Sequence, residues 1–106
     1  MKEDILFKNT PISDLQSIRI ETRYFKCGCL QMAWEDISGV PDAVFYLEGS
    51  NDAEKWDILS SPSNISGTTG CDLIMFSEIF CKYIRCRIEK NGVTGGTVSA
   101  TLTLKI

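Results

Sequence analysis

The last ten residues of the chain, Thr97–Ile106, alternate strictly between polar and apolar side chains. Successive side chains of a β-strand point to opposite faces, so this pattern predicts a strand with one buried and one solvent-facing side. Tyr83–Lys90 alternates in the same way. Between them, Asn91–Gly96 is glycine-rich and contains an Asn-Gly pair, which predicts a hairpin connection. In Tyr83–Lys90 the side chains predicted to point inward are Ile84, Cys86 and Ile88, and those predicted to point outward are Arg85, Arg87 and Glu89.

Five upstream runs also have the composition of strands, and turn-forming residues separate them at intervals of about ten residues. In one of them Trp34 shares the parity of Leu30 and Met32, so we expect its indole to be buried. No stretch keeps a helical period over more than two turns. The chain is therefore predicted to be all-β, an antiparallel, jelly-roll-like β-sandwich of about seven or eight strands. Its 106 residues suit a single domain over 1–106. The five runs are Ser17–Phe25, Leu30–Trp34, Ala43–Leu47, Trp56–Leu59 and Cys71–Phe76.

The segment Tyr46–Trp56 predicts a β-hairpin in the middle of the chain. A strand-like run ends at Gly49, passes through polar turn residues and restarts at Trp56. We expect Gly49 to let the strand bend, and Asn51 and Asp52 to accept hydrogen bonds from their own backbone. Trp56 is expected to close over the core with its large apolar area.

Net charge and hydropathy argue against two classes of partner, nucleic acids and membranes. The formal net charge is −3, whereas non-specific phosphate binding needs clustered Lys and Arg, so we expect no nucleic-acid partner. No apolar run reaches the roughly 18 residues of a membrane span, and the apolar run near Met1 is too short for a secretory signal. The chain is therefore expected to be made in the cytoplasm without a membrane partner.

The chain contains no histidine, which removes the commonest general base and the Ser-His-Asp and Cys-His arrangements. Carboxylate pairs remain as candidates for glycosidase chemistry, which needs two facing acids in a cleft. We expect these acids to lie on solvated faces and turns, so no catalytic residue and no enzymatic activity are predicted. The carboxylates considered are Glu35, Asp36, Glu48, Asp52 and Glu54.

The five cysteines, an odd number, are predicted to be reduced and buried thiols. Zinc is the alternative, but Cys27 and Cys29 are separated by one residue where structural zinc sites use two to four. Calcium is a second alternative at Asp52, Glu54 and Asp57, which fall short of the spacing of a calcium loop. We therefore predict no metal and no cofactor.

Four short motifs follow one another along the chain, namely Leu30–Trp34, Gly49–Asp52 with Trp56, Tyr83–Arg85 and Gly95–Lys105. Together they resemble the small β-sandwich proteins of tailed-bacteriophage virions, which decorate capsids or associate with tails. The second and third motifs also resemble, more weakly, discoidin-type jelly-roll domains that bind carbohydrate or lipid. The chain departs from both patterns at Ala53, where a glycine is common after the aspartate.

The first resemblance implies a non-enzymatic structural protein of a phage particle, active in capsid decoration or tail assembly. It implies a virion location, other virion proteins as partners and a homo-oligomer, with a trimer slightly favoured. The uncharged outward side chains Thr97, Ser99, Thr101 and Thr103 are the predicted wet or intersubunit surface. The second resemblance implies, as the alternative, a carbohydrate-binding module for host-surface recognition. Tyr46 and Trp56 are then the candidate contacts with a glycan or a partner.

Overall fold

Two antiparallel β-sheets form the molecule in the computed structural model, which describes residues 1–79 and 81–106. No helix occurs in these described ranges. The ten strands are β1 (Lys2–Pro11), β2 (Leu15–Gln16), β3 (Ile20–Glu21), β4 (Cys27–Gly39), β5 (Ala43–Ser50), β6 (Asp57–Ile58), β7 (Ser63–Asn64), β8 (Gly70–Phe76), β9 (Tyr83–Lys90) and β10 (Val93–Lys105).

The strand order is that of a jelly roll. One sheet, which we call sheet A, has the order β1-β10-β4-β8. The other, sheet B, has the order β2-β9-β5-β6, with β3 also paired to β9 and β7 also paired to β5. If β2 with β3 and β6 with β7 are each taken as one interrupted strand, eight strands are divided four and four between the sheets, in the order of the two Greek keys of this fold. The predicted antiparallel β-sandwich is confirmed.

The predicted inward side chains meet between the two sheets in one core. Sheet A contributes Leu30, Met32 and Trp34 from β4, and sheet B contributes Phe45 from β5. The Trp34 and Phe45 rings lie tilted, 6.2 Å between centroids, so they join the sheets directly. The Trp34 indole N–H donates to the carbonyl of Ser66 at 3.2 Å, which satisfies its polar group. Of the other inward residues of the alternation, the terminal Ile106 is 74% exposed, beyond the end of β10, and the rest are buried, namely Ile84, Cys86, Ile88, Val98, Ala100, Leu102 and Leu104.

Strand β1 is absent from the sequence-based prediction because its alternation is broken. Ile5 lies opposite Thr101 and is 62% exposed, whereas Phe7 lies opposite Ala100 and is buried. A register shift separates the two pairs, so a bulge turns neighbouring parts of the strand to different faces.

The predicted strand Ser17–Phe25 is only partly present. Ile20 belongs to β3 and is buried, as is Thr22, but Ile18 and Tyr24 are exposed. Tyr24 has a φ of 70°, which ends the extended conformation at this point.

The hairpin predicted at Tyr46–Trp56 is present, with Gly49 opposite Asp57 and Glu48 opposite Ile58. The hairpin predicted at Asn91–Gly96 is wrong, because this segment connects β9 of sheet B to β10 of sheet A and the two strands do not pair. Asp52 Oδ1 accepts hydrogen bonds from the backbone N–H groups of Glu54 and Lys55, both at 2.9 Å, as an Asx-turn requires. These bonds, with one from the Ser50 hydroxyl, lower the pKa of Asp52. The turn is therefore held by its own side chains.

Two turn residues act differently from the prediction. Asn51 does not bond its own turn, because its side-chain oxygen accepts the backbone N–H of Lys82 at 3.1 Å. Gly49 lies within β5, and a Cβ there would stand 2.7 Å from Cys81 Sγ and 2.8 Å from Leu59 Cδ2. Glycine thus allows the close approach of these two side chains, which a Cβ would displace.

Replacing Ala53 by glycine is expected to stabilise the protein. Ala53 has a φ of 61°, in the left-handed region where a Cβ is unfavourable. Ala53→Gly keeps the backbone N–H that donates to Ser50 Oγ at 2.9 Å and removes the Cβ. We expect the free energy of unfolding, measured by urea denaturation, to rise by about 0.5–1 kcal/mol.

Ala33→Gly is the matched control. Ala33 lies within β4, opposite Ser99, where glycine only adds unfolded-state freedom. There we expect a loss of about 0.5–1 kcal/mol. Equal destabilisation by both changes would show that the Ala53 conformation carries no strain.

Candidate functional site

The outer face of sheet B brings together the two side chains predicted as contacts, Tyr46 and Trp56. In the pairing of β5 with β9, Tyr46 lies opposite Arg87 and Glu48 lies opposite Arg85. Trp56 immediately precedes β6, which pairs with the end of β5. These five side chains form what we call the arginine–aromatic cluster.

Glu48 is the centre of this cluster. Its Oε1 accepts from Arg85 Nε at 3.0 Å, and its Oε2 accepts from Arg87 Nε at 3.1 Å. Each guanidinium group donates a second bond from its Nη1, Arg85 to Gln16 Oε1 and Arg87 to Glu89 Oε2, both at 3.0 Å. Both carboxylate oxygens are therefore paired, and both arginines are fixed at two points.

Each arginine also stacks on one aromatic ring. The guanidinium carbon of Arg85 lies 4.2 Å from the Trp56 ring centroid, and that of Arg87 lies 4.2 Å from the Tyr46 centroid. Both distances are within the range of cation–π attraction. The prediction that Trp56 fills the core is wrong: its ring is half-buried on the outside of sheet B, because Arg85 supplies the surface it packs against.

Glu48 also differs from expectation, since it is 6% exposed and does not lie on a solvated face. A carboxylate can be buried there because two guanidinium groups compensate its charge. The sequence does carry a signal for this contact. Arg85 and Arg87 occupy alternate positions of one strand and so point to the same face, where the paired strand β5 presents a single acid, Glu48.

Glu48→Gln is expected to destabilise the fold. The amide keeps the shape of the side chain but leaves two guanidinium groups, 16% and 26% exposed, without their shared carboxylate. We expect the free energy of unfolding, measured by urea denaturation, to fall by about 2–3 kcal/mol. This is less than the cost of breaking a completely buried ion pair, because water reaches both arginines.

Glu89→Gln is the control for this substitution. Its side chain is 59% exposed and contacts Arg87 alone, so its loss should stay below about 1 kcal/mol. Equal effects of the two substitutions would mean that Glu48 is no more than an ordinary surface ion-pair partner.

The outer face of sheet A has the opposite character, and we call it the neutral face. Cross-strand pairing places side chains in rows, one of which runs Ile5, Thr101, Gln31, Leu73. The predicted threonine strand lies in the middle of this face and is half-buried. Its uncharged outward side chains include Ile5 on β1, Thr97, Ser99, Thr101 and Thr103 on β10, Cys29, Gln31 and Ala33 on β4, and Cys71, Leu73 and Met75 on β8.

Three large apolar side chains protrude from the neutral face. Ile5 is 62% exposed, Leu73 53% and Met75 74%. The charged side chains at paired positions of this face, Glu3, Glu35 and Lys105, lie at its margins. Isolated apolar side chains on a surface are ordinary, but Leu73 and Met75 are neighbours on β8, and Ile5 lies across the same face from them. Exposed apolar area on a sheet face whose charges lie at its margins is of the kind that marks interaction sites. The sequence predicted the threonine row and missed the flanking apolar residues.

The cysteines are less uniformly buried than predicted. Cys86 is fully buried, Cys27, Cys29 and Cys81 are half-buried, and Cys71 is exposed on the neutral face. All are free thiols. Burial, with a smaller contribution from Glu48, raises the pKa of Cys86 to about 12. Burial also raises the pKa of Cys81.

We expect thiol reagents to distinguish these cysteines. In dilute folded protein at mildly alkaline pH, an aromatic disulfide reagent should react fast at Cys71, because that thiol is exposed. Cys86 should react only after unfolding, because it is buried and remains protonated. Absorbance kinetics check this, with Cys71→Ser removing the fast phase and Cys86→Ala leaving it unchanged. Fast modification of Cys86 in the folded protein would contradict the assignment.

No group of three or more Cys, Asp or Glu side chains close enough to hold a metal ion occurs among residues 1–79 and 81–106. Over the same ranges, the structure contains no helix of the length and apolarity that crossing a bilayer requires.

Comparison with known proteins supports the fold. No protein-family model matches the chain, and no curated protein sequence matches it significantly. Among solved structures, the crystal structure of the SPBc2 prophage-derived protein YomS is similar, with a TM-score of 0.59 over 98% of this chain and 92% of that chain. The two sequences are 10% identical, so the similarity establishes a shared fold.

Proposed function

We propose that this chain is a non-enzymatic structural protein of a phage particle. In this proposal it acts in capsid decoration or tail assembly, is made in the host cytoplasm and becomes part of the virion. It contacts the other proteins of the particle, copies of itself included, through the neutral face of sheet A.

The observation that carries this proposal is the exposure of Ile5, Leu73 and Met75 on one face whose charged side chains lie at its margins. Covering these side chains removes apolar area from water, which favours association. The central Thr101 and Thr103 add hydroxyl groups that can hydrogen-bond across a contact without the desolvation cost of a charge. Such a surface suits contact with a protein better than contact with an ionic ligand.

Fold-level analogy supports the phage context. Jelly rolls occur in viral capsid proteins, and the similar solved structure is described as a prophage-derived protein. A fold alone does not determine a function, so this argument is weaker than the argument from the face.

The arginine–aromatic cluster fits the alternative, carbohydrate binding, less well. Lectins also use jelly rolls, and a polar concavity of about 440 Å³ beside Arg87 is lined by Asp14, Gln16 and Glu89. However, Arg87 and Arg85 already lie over the Tyr46 and Trp56 rings, on which a sugar would stack. Sugar binding would have to use the other ring faces or displace guanidinium groups that Glu48 holds.

Particle association tests the proposal. Mass spectrometry of purified particles of the encoding phage should detect the protein in fixed ratio to capsid or tail subunits. Particles lacking it should take up added wild-type protein. Leu73→Lys should weaken that uptake by roughly tenfold or more, because a buried leucine contributes about 1.5–3 kcal/mol.

Ile18→Lys is the control. Ile18 is 70% exposed but lies between the short strands β2 and β3 of sheet B, away from the neutral face. Particles lacking the protein should take up the Ile18→Lys variant as well as they take up the wild type. Absence of the protein from purified particles would overturn the proposed function, and equal loss of uptake by both variants would remove the neutral face from it.

A further inference from the structure

We propose that the neutral face is covered by a second copy of this chain, in a twofold, face-to-face dimer of the two A sheets. The inference rests on the proposed function in one respect, namely the assignment of the neutral face as a protein contact. It adds the identity of the first partner and the symmetry of the contact.

The relief of the neutral face is complementary to itself. Leu73 and Met75 protrude from β8 at one side, and Ile5 protrudes from β1 at the other. Between them lies a trough of shorter, half-buried side chains, Thr101 and Thr103 on β10 and Cys29 and Ala33 on β4, which the exposed Gln31 interrupts. Because ridges and trough belong to the same face, the ridge of one copy can lie in the trough of the other, as a twofold contact requires.

A shallow depression strengthens this complementarity. It measures about 420 Å³ and lies at one end of the neutral face, where its lining includes Cys29, Met75, Phe76 and Thr103. A protruding Leu73 or Ile5 from the second copy has an apolar wall to pack against there. The same surface thus offers both projecting side chains and a recess.

Charge favours this face over the rest of the surface for contact between identical chains. Each copy carries a net charge of −3, so association must avoid placing like charges together. The middle of the neutral face carries no charged side chain at its paired positions, and Glu3, Glu35 and Lys105 lie at the margins. The outer face of sheet B instead presents Arg87 and Glu89, which a second copy would have to desolvate.

The size of the face fits a dimer of moderate affinity. With strands about 4.8 Å apart and a rise of about 3.3 Å per residue, the four strands of sheet A cover roughly 700 Å². This lies between the roughly 600 Å² per partner of weak interfaces and the roughly 800 Å² of standard ones. The dimer should therefore form in the micromolar range and be strengthened by other contacts in an assembled particle.

A twofold axis is the symmetry that brings the neutral face of one copy against the neutral face of the other. In a twofold dimer the same patch meets itself, whereas a trimer brings two different patches into contact around its axis. The neutral face supplies a self-complementary patch, so we propose a dimer in place of the trimer that the sequence favoured.

Sedimentation velocity over a range of concentrations tests the inference on the full chain. The wild type should pass from monomer to dimer as its concentration rises. Leu73→Lys and Met75→Lys should each weaken the dimer by about 100-fold, because in a twofold contact every substitution removes two buried side chains and adds two charges. Reaction of Cys71 with a thiol reagent gives a second readout, since the dimer should slow it as protein concentration rises.

Ile18→Lys should dimerise like the wild type, and urea denaturation of all variants should confirm that the fold is unchanged. A wild type that stays monomeric at high concentration would overturn the inference, as would a trimer or a dimer insensitive to Leu73→Lys. If the wild type is monomeric but Leu73→Lys still abolishes uptake by particles, the dimer fails while the proposed function stands. If the dimer forms but particles lack the protein, the proposed function fails and the dimer stands.

Discussion

The register of β4 against β10 is the constraint on which the rest of the structure depends. Leu102 lies opposite Leu30 and Ala100 opposite Met32, so these pairs fill the core, while Thr101 lies opposite Gln31 on the other side. A slip of one residue would exchange the two faces and expose the core. The same pairing therefore determines both what sheet A buries and what it presents to a partner.

The outer faces of the two sheets differ in how far their exposed side chains are satisfied by contacts within the chain. On sheet B, Glu48 pairs with Arg85 and Arg87, and each arginine covers an aromatic ring, so polar and aromatic groups satisfy one another within the chain. On sheet A, Ile5 and Leu73 remain largely in water. A face whose groups are already paired gains little from a partner, whereas an apolar face gains by being covered. This contrast is the reason for assigning assembly to sheet A.

How much the sequence predicts depends on whether a side chain's surroundings are local. Alternation in Thr97–Ile106 and Tyr83–Lys90 predicted both strands and their inward residues, because parity alone decides them. Trp56 was misplaced because its packing surface is Arg85, nearly thirty positions away, which no local pattern reveals. Strand β1 was missed because a bulge interrupts its period. The apolar half of the neutral face escaped notice because Leu73 and Met75 lie in an apolar run whose two faces look alike.

The sheet edges explain why a contact between copies would use a face. Edge strands invite pairing with other chains unless they are short, bulged or covered. Sheet B ends in two-residue strands on both sides, and β1 at one edge of sheet A has two register shifts. At the other edge, the Asp72 side chain of β8 accepts a hydrogen bond from the Ser63 hydroxyl of β7 at 2.5 Å, which places β7 beside one end of β8. Because pairing is discouraged at three of the four edges, we expect association between copies to use the apolar area of the neutral face.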